Sequence, residues 1–174
     1  MKLYLSCGIL SVDAEMTDFS SLYQKYAQDV FRFAYFLSGN QADAEDIVSE
    51  AFVRAWNAPG AIRQSTAKAY LLVIARNCYL QGLRHQRRHL PLEEDVSDPR
   101  QAPQDSAEQR AELAYVMRDL QQLPEVDRTA LLLSAVEEFS YEQIAKTLGL
   151  SLAAVKTRIH RARLKLERAR EQRR

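Results

Sequence analysis

The chain has 174 residues, 47% of them hydrophobic and 27% charged, which suits one medium domain or two small ones, and its formal net charge of +1 says little by itself. Two cysteines, Cys7 and Cys78, are too few for a disulfide framework and lack metal-ligand spacing, so a secreted disulfide scaffold is excluded and a reducing, cytoplasmic compartment is expected. Five Gly, five Pro and no convincing alternating pattern leave most of the chain free to be helical, and no apolar run is long enough to span a membrane.

"KLYLSCGIL" at the start resembles a signal segment only superficially, because its apolar run is very short and no convincing cleavage pattern follows. Residues 1–16 are read as an N-terminal extension, either flexible or an upstream start-site misassignment, since helical periodicity begins just after Met16. From Phe19 to Leu37 the residues Leu22, Tyr26, Val30, Phe33 and Leu37 recur near a 3.6 period, and "SGNQ" ends that helix. A second helix is expected over about Ala42–Trp56, with Asp43, Glu45, Asp46 and Glu50 and no base before Arg54. Early acids suit the helix dipole, so charge alone leaves a solvated face and a docking face for a basic protein equally open. Pro59 and Gly60 break the chain before a third helix, about Thr66–Arg87, whose Leu71, Ile74, Cys78 and Leu83 are expected to face inward. Its Arg76, Arg84, Arg87 and Arg88, near Asn77 and fed by Arg63, Gln64 and Ser65, suit single-stranded bases and their phosphates.

"HLPLEEDVSDPRQAPQDS", His89 to Ser106, has three prolines and five acids against one arginine, the composition of a linker. Beyond it, Leu113, Val116, Met117 and Leu120 are expected to face a core, and Pro124 to occupy the first position of the next helix. Glu137 and Glu138 read as a helix-end acid pair. Ser140 and Gln143 form a capping box, Ile144, Ala145 and Leu148 follow at helical spacing, and Gly149 ends that short helix. Ser151 caps the last helix, in which Val155, Ile159, Ala162 and Leu166 make the buried stripe and Thr157, Arg158, Arg161 and Lys165 lie opposite. From Lys156 to Arg174 there are nine Lys or Arg against two acids, so the charge is concentrated here. Two amphipathic helices with a short Gly-containing turn, the second basic, make a helix-turn-helix able to enter a major groove.

No Gly-rich phosphate loop, no Ser/His/Asp motif and no metal box is present, so neither an enzyme, a cofactor nor a metal site is read. The fold class expected is all-α: two small helical domains, 17–88 and 108–174, joined by an acidic flexible linker over 89–107.

Two motif blocks in this order resemble the sigma-70 family of bacterial RNA polymerase specificity subunits, in particular its small extracytoplasmic-function members. "DAEDIVSEAFVRAW" resembles region 2.2, "YLLVIARNCYLQGLR" regions 2.3 and 2.4, and the stretch from Leu123 to Leu166 region 4. The resemblance implies a region 2 helical bundle and a region 4 helix-turn-helix in a non-catalytic subunit. It implies core-polymerase docking by Glu45, Asp46, Ser49, Glu50, Phe52 and Trp56. Unpaired minus-10 DNA would meet Arg63, Gln64, Ser65, Arg76, Asn77, Arg84, Arg87 and Arg88; duplex minus-35 DNA would meet Ala154, Lys156, Thr157, Arg158 and Arg161. The partners implied are core RNA polymerase, promoter DNA and, as in many family members, an anti-sigma protein, with no membrane insertion. Tyr70-Leu71 stands where a Trp-Leu pair is usual, Gln81 where Asp is common, and Ala153-Ala154 where Gly-Thr is frequent.

Overall fold

The computed structural model describes residues 19–58, 64–86 and 107–173. Their regular structure is entirely helical: α1 (Phe19–Ser38), α2 (Gln41–Asn57), α3 (Gln64–Gln86), α4 (Ala107–Gln121), α5 (Glu125–Ala135), α6 (Tyr141–Leu148) and α7 (Leu152–Glu171), with short turns between those that follow directly. The N-terminal extension, Arg63, Arg87, Arg88 and nearly all of the acidic join fall outside the described residues.

All five stripe residues of α1, Leu22, Tyr26, Val30, Phe33 and Leu37, are buried, as their spacing requires. The helix stops at Gly39, whose φ of +80° places it in the left-handed region where a side chain is disfavoured. Asn40 then caps α2, its Oδ1 accepting from the Asp43 amide at 3.2 Å. Ala44, Ile47, Val48, Ala51, Phe52 and Ala55 of α2 and Ala67, Leu71, Leu72, Ala75 and Cys78 of α3 complete a three-helix core with α1.

The second block is organised around α5. Its residues Asp127 to Leu133 are all buried, because α1 covers one side while α6 and α7 cover others. A helix apolar on most of its circumference must be enclosed in this way. Pro124 is the cap of α5 and not its first helical residue: its ψ of 140° is extended, a value compatible with the ring's fixed φ. In α4, Met117 and Leu120 are buried, but Leu113 and Val116 are 39% and 40% exposed, against expectation. The first two turns of that helix project past the body that Met117 reaches.

The two blocks share one core. Phe33 and Leu72 of the first line the same small crevice as Thr129, Leu133 and Leu148 of the second, and α1 also packs on α4. Gly82, in the exposed part of α3, would place a Cβ with nothing within 4 Å. Gly82→Ala is therefore expected to stabilise the protein by about 1 kcal/mol and to raise its melting temperature by ~2–4 °C in a calorimetric scan.

Candidate functional site

The α6–α7 pair is built by local chemistry. Gln143 N donates to Ser140 Oγ at 3.2 Å while Ser140 N donates to Gln143 Oε1 at 2.7 Å, closing the capping box. Gly149 leaves α6 with φ +64°, and Ser151 Oγ accepts from Ala154 N at 3.2 Å to start α7. Ile144 is fully buried against the Val155, Ile159 and Ala162 stripe, which fixes the crossing of the pair. Lys156, Thr157, His160, Arg161 and Arg163 are left exposed on α7.

Arg158 and Lys165 behave differently from their neighbours. Arg158 Nη1 lies 2.7 Å from Asp127 Oδ1 on α5, and its side chain is only 31% exposed. Lys165 Nζ donates to the carbonyl of Gln122. Ala154 is half-buried, and Thr157 Oγ1 donates to Ala153 O at 2.9 Å. Of the five residues singled out from the sequence, the helix thus leaves Lys156, Thr157 and Arg161 exposed, and Ala154 and Arg158 half-buried.

On α2, Glu45, Asp46, Ser49 and Glu50 are all exposed along one side. Glu50 pairs with Arg54 at 2.6 Å, and Arg54 reaches on to Gln81 at 2.7 Å. Asp46 and Glu50, with Asp43, line a cleft of about 380 Å³ closed by Cys78, Tyr79, Leu83 and Gln121. Burial pushes the Cys78 thiol up, so it stays protonated and unreactive there. Phe52 is 3% exposed, packed under Tyr23 with ring centroids 4.8 Å apart, whereas Trp56 is 65% exposed. Trp56 therefore stands open to solvent beside Phe19, their ring centroids 4.9 Å apart, and Phe52 lies beneath that face.

Of the residues assigned to unpaired DNA, Ser65, Asn77 and Arg84 are exposed, and Gln64 is the first residue of α3. Arg76 is separated from them by its partner. Its Nε and Nη2 donate to Glu125 Oε1 and Oε2 at 2.7 and 2.9 Å, a bidentate pair that joins α3 to α5 across the two blocks.

Several polar residues at this joint went unrecognised in the sequence. Glu137, with a side chain 0% exposed, lies 3.2 Å from Arg32 Nη2 and 2.7 Å from Lys68 Nζ, and Asp29 contacts the same two cations at 3.1 and 3.0 Å. Burial alone would lower the Lys68 pKa, but hydrogen bonds to Glu137 and Asp29 outweigh it and leave the ammonium above the ordinary lysine value. Arg128 donates to Tyr79 Oη at 2.7 Å, and Gln121 Nε2 donates to the Phe36 carbonyl at 3.3 Å, serving the open end of α1. Among the described residues no helix is long and apolar enough to cross a membrane, and no group of three His, Cys, Asp or Glu is placed to hold a metal.

An all-helical chain that couples an acidic helix to a helix-turn-helix with a basic second helix defines a class of DNA-associated protein, and comparison with known proteins makes it specific. Residues 22–89 match the Sigma-70 region 2 family and residues 113–166 match Sigma-70 region 4. The chain is 33% identical over 153 residues to the ECF RNA polymerase sigma factor SigL of Mycobacterium tuberculosis, covering 86% of each protein. It is 35% identical over 160 residues to SigE of Mycolicibacterium smegmatis, where it covers 88% of this chain but spans only 62% of that relative. Among solved structures, the sigma factor RpoE in complex with the anti-sigma factor NepR from Bartonella quintana is similar, with a TM-score of 0.71, 26% identity and coverage of 88% of this chain and 97% of that one. CnrH in complex with the cytosolic domain of CnrY has a TM-score of 0.62 at 25% identity, covering 88% of both chains. The chain belongs to the extracytoplasmic-function group of the sigma-70 family.

Proposed function

We propose that this chain is a promoter-specificity subunit of bacterial RNA polymerase, non-catalytic and cytoplasmic, that binds core polymerase, recognises minus-35 and minus-10 elements and helps open the DNA. The observation that carries the proposal is the presence on one chain of an accessible acidic α2 face and an accessible basic α7. A free-standing repressor needs only the second.

The division of labour follows the residues. Glu45, Asp46, Ser49, Glu50 and Trp56 dock on a basic surface of the polymerase, whose side chains can enter the cleft beside Asp46. Residues 17–88 form the docking and minus-10 domain, and the exposed Asn77 and Arg84, with Ser65 and the preceding loop, hold unpaired bases. Residues 108–174 form the minus-35 domain, with α7 in the major groove. Residues 89–107 connect the two. The similar structure of the sigma factor RpoE in complex with the anti-sigma factor NepR supports an anti-sigma protein as a further partner.

The proposal requires the blocks to part. Elements about 25 base pairs apart lie about 85 Å apart along duplex DNA, whereas a compact chain of this length has a radius of gyration near 16 Å. Arg76 is also engaged by Glu125 while the blocks are together. The test is reconstitution: the full chain, added to core RNA polymerase, is expected to direct run-off transcription from defined sites in fragmented genomic DNA of its source. Absence of both core binding and site-specific transcripts from folded protein would remove the proposal.

A further inference from the structure

The basic surface of α7 contains one acid that the recognition helix does not itself supply. Asp127 comes from α5, its side chain is 5% exposed, and its two oxygens face two arginines one turn apart: Oδ1 is 2.7 Å from Arg158 Nη1 and Oδ2 is 3.7 Å from Arg161 Nη2. The two arginines differ in how they are held. Arg158 is 31% exposed and its Nε is buried, so its guanidinium faces the protein interior more than the groove side. Arg161 is 61% exposed, and the longer contact leaves most of its donors facing outward.

We infer that Asp127 is a positioning residue for DNA recognition: it retains Arg158 as an internal strut and orients Arg161 toward the base edges. The inference rests on the minus-35 reading of α7. Two physical effects follow from one carboxylate. Drawing Arg158 to DNA would break a short charge-assisted bond and leave the buried Asp127 carboxylate only the 3.7 Å contact with Arg161, a costly exchange. Meanwhile the same negative charge lies beneath the guanidiniums and offsets part of their attraction for any phosphate, irrespective of sequence. Arg161, tethered on one side and open on the other, loses less freedom when its planar fork meets guanine O6 and N7. Asp127 thereby trades non-specific affinity for discrimination.

The experiment uses the full chain bound to core polymerase and a duplex pool randomised across the upstream half of the promoter. Duplexes selected by wild type are compared with scrambled ones over a salt series. Asp127→Asn is expected to bind scrambled duplex more tightly, to steepen the slope of log K against log[salt] by up to about one unit, and to lose roughly 5- to 100-fold in discrimination. Wild type that selects no sequence overturns the minus-35 reading itself. Wild-type selection with an unchanged slope and unchanged discrimination in Asp127→Asn overturns the inference alone. If Asp127→Asn does not fold, lysine variants decide it: Arg158→Lys keeps the pair with Asp127 and should retain the selected sequence, whereas Arg161→Lys should lose preference at a base position. The reverse pattern makes Arg158 the reader and overturns the inference.

Discussion

Asp46→Arg combined with Glu50→Arg is expected to weaken binding to core RNA polymerase by ~30- to ~700-fold, which corresponds to about 2–4 kcal/mol for charge pairs converted to repulsion at an interface. Both carboxylates stand on the open side of α2 and line the same cleft, so both face an incoming basic surface. Asp46 makes no hydrogen bond or ion pair among the described residues, and its replacement disturbs no internal partner. Glu50 does have one, Arg54 at 2.6 Å, and arginines at 46 and 50 together with Arg54 set three cations one turn apart, two repulsive pairs in all. That local repulsion is worth only a few tenths of a kcal/mol per pair on an exposed helix. The fold should therefore survive, with a melting temperature close to wild type, while a pull-down with core polymerase fails. Undiminished capture of core by the folded double variant would sink the docking role of α2. A matching loss of captured core on raising the salt would identify the contact as electrostatic.

What could be read from the sequence was what local chemistry decides. The α1 stripe, the Ser140–Gln143 capping box, the Gly149 turn and the Ser151 cap involve partners within four residues of each other, and each forms as read. The joint between the blocks was illegible for the opposite reason. Glu137 meets Arg32 across 105 residues of chain, and no spacing rule marks such a pair. Followed directly by Glu138 after an apolar run, Glu137 reads only as one of a helix-end acid pair. One signal was available: the uninterrupted Leu131-Leu132-Leu133 leaves no polar side for water, so α5 had to be covered on more than one face. The same distance effect altered single residues. Arg76 and Arg158 read as free cations because Glu125 and Asp127 lie 49 and 31 positions away. Leu113 and Val116 kept a helical period, but periodicity does not say where the neighbouring body ends.

Glu137→Arg is expected to open the molecule without unfolding it. In wild type, one buried carboxylate from the second block answers two cations, Arg32 of α1 and Lys68 of α3, and Asp29 supplies the second negative charge. Arginine at 137 would leave three cations around one acid in a partly water-excluded joint. Removing a partner from a fully buried pair costs about 3–5 kcal/mol; Arg32 and Lys68 are 42% and 29% exposed, so solvent screening reduces this to about 2 kcal/mol or slightly more for the reversal. A change of that size shifts the closed-to-open ratio by roughly 30-fold. Each block retains its own apolar contacts, α1 with α2 and α3 on one side, α5 with α6 and α7 on the other, so helical content should persist. The 20 residues between α3 and α4 reach at most about 70 Å, which together with the breadth of the two blocks covers the separation of about 85 Å that the proposed function requires. In solution X-ray scattering the radius of gyration should therefore rise above the compact value near 16 Å, and exchange of the charges, Glu137→Lys with Lys68→Glu, should bring it part of the way back. An unchanged radius in the folded variant would mean that the apolar contacts of Phe33, Leu72 and Leu133, together with Arg76–Glu125, hold the joint without Glu137.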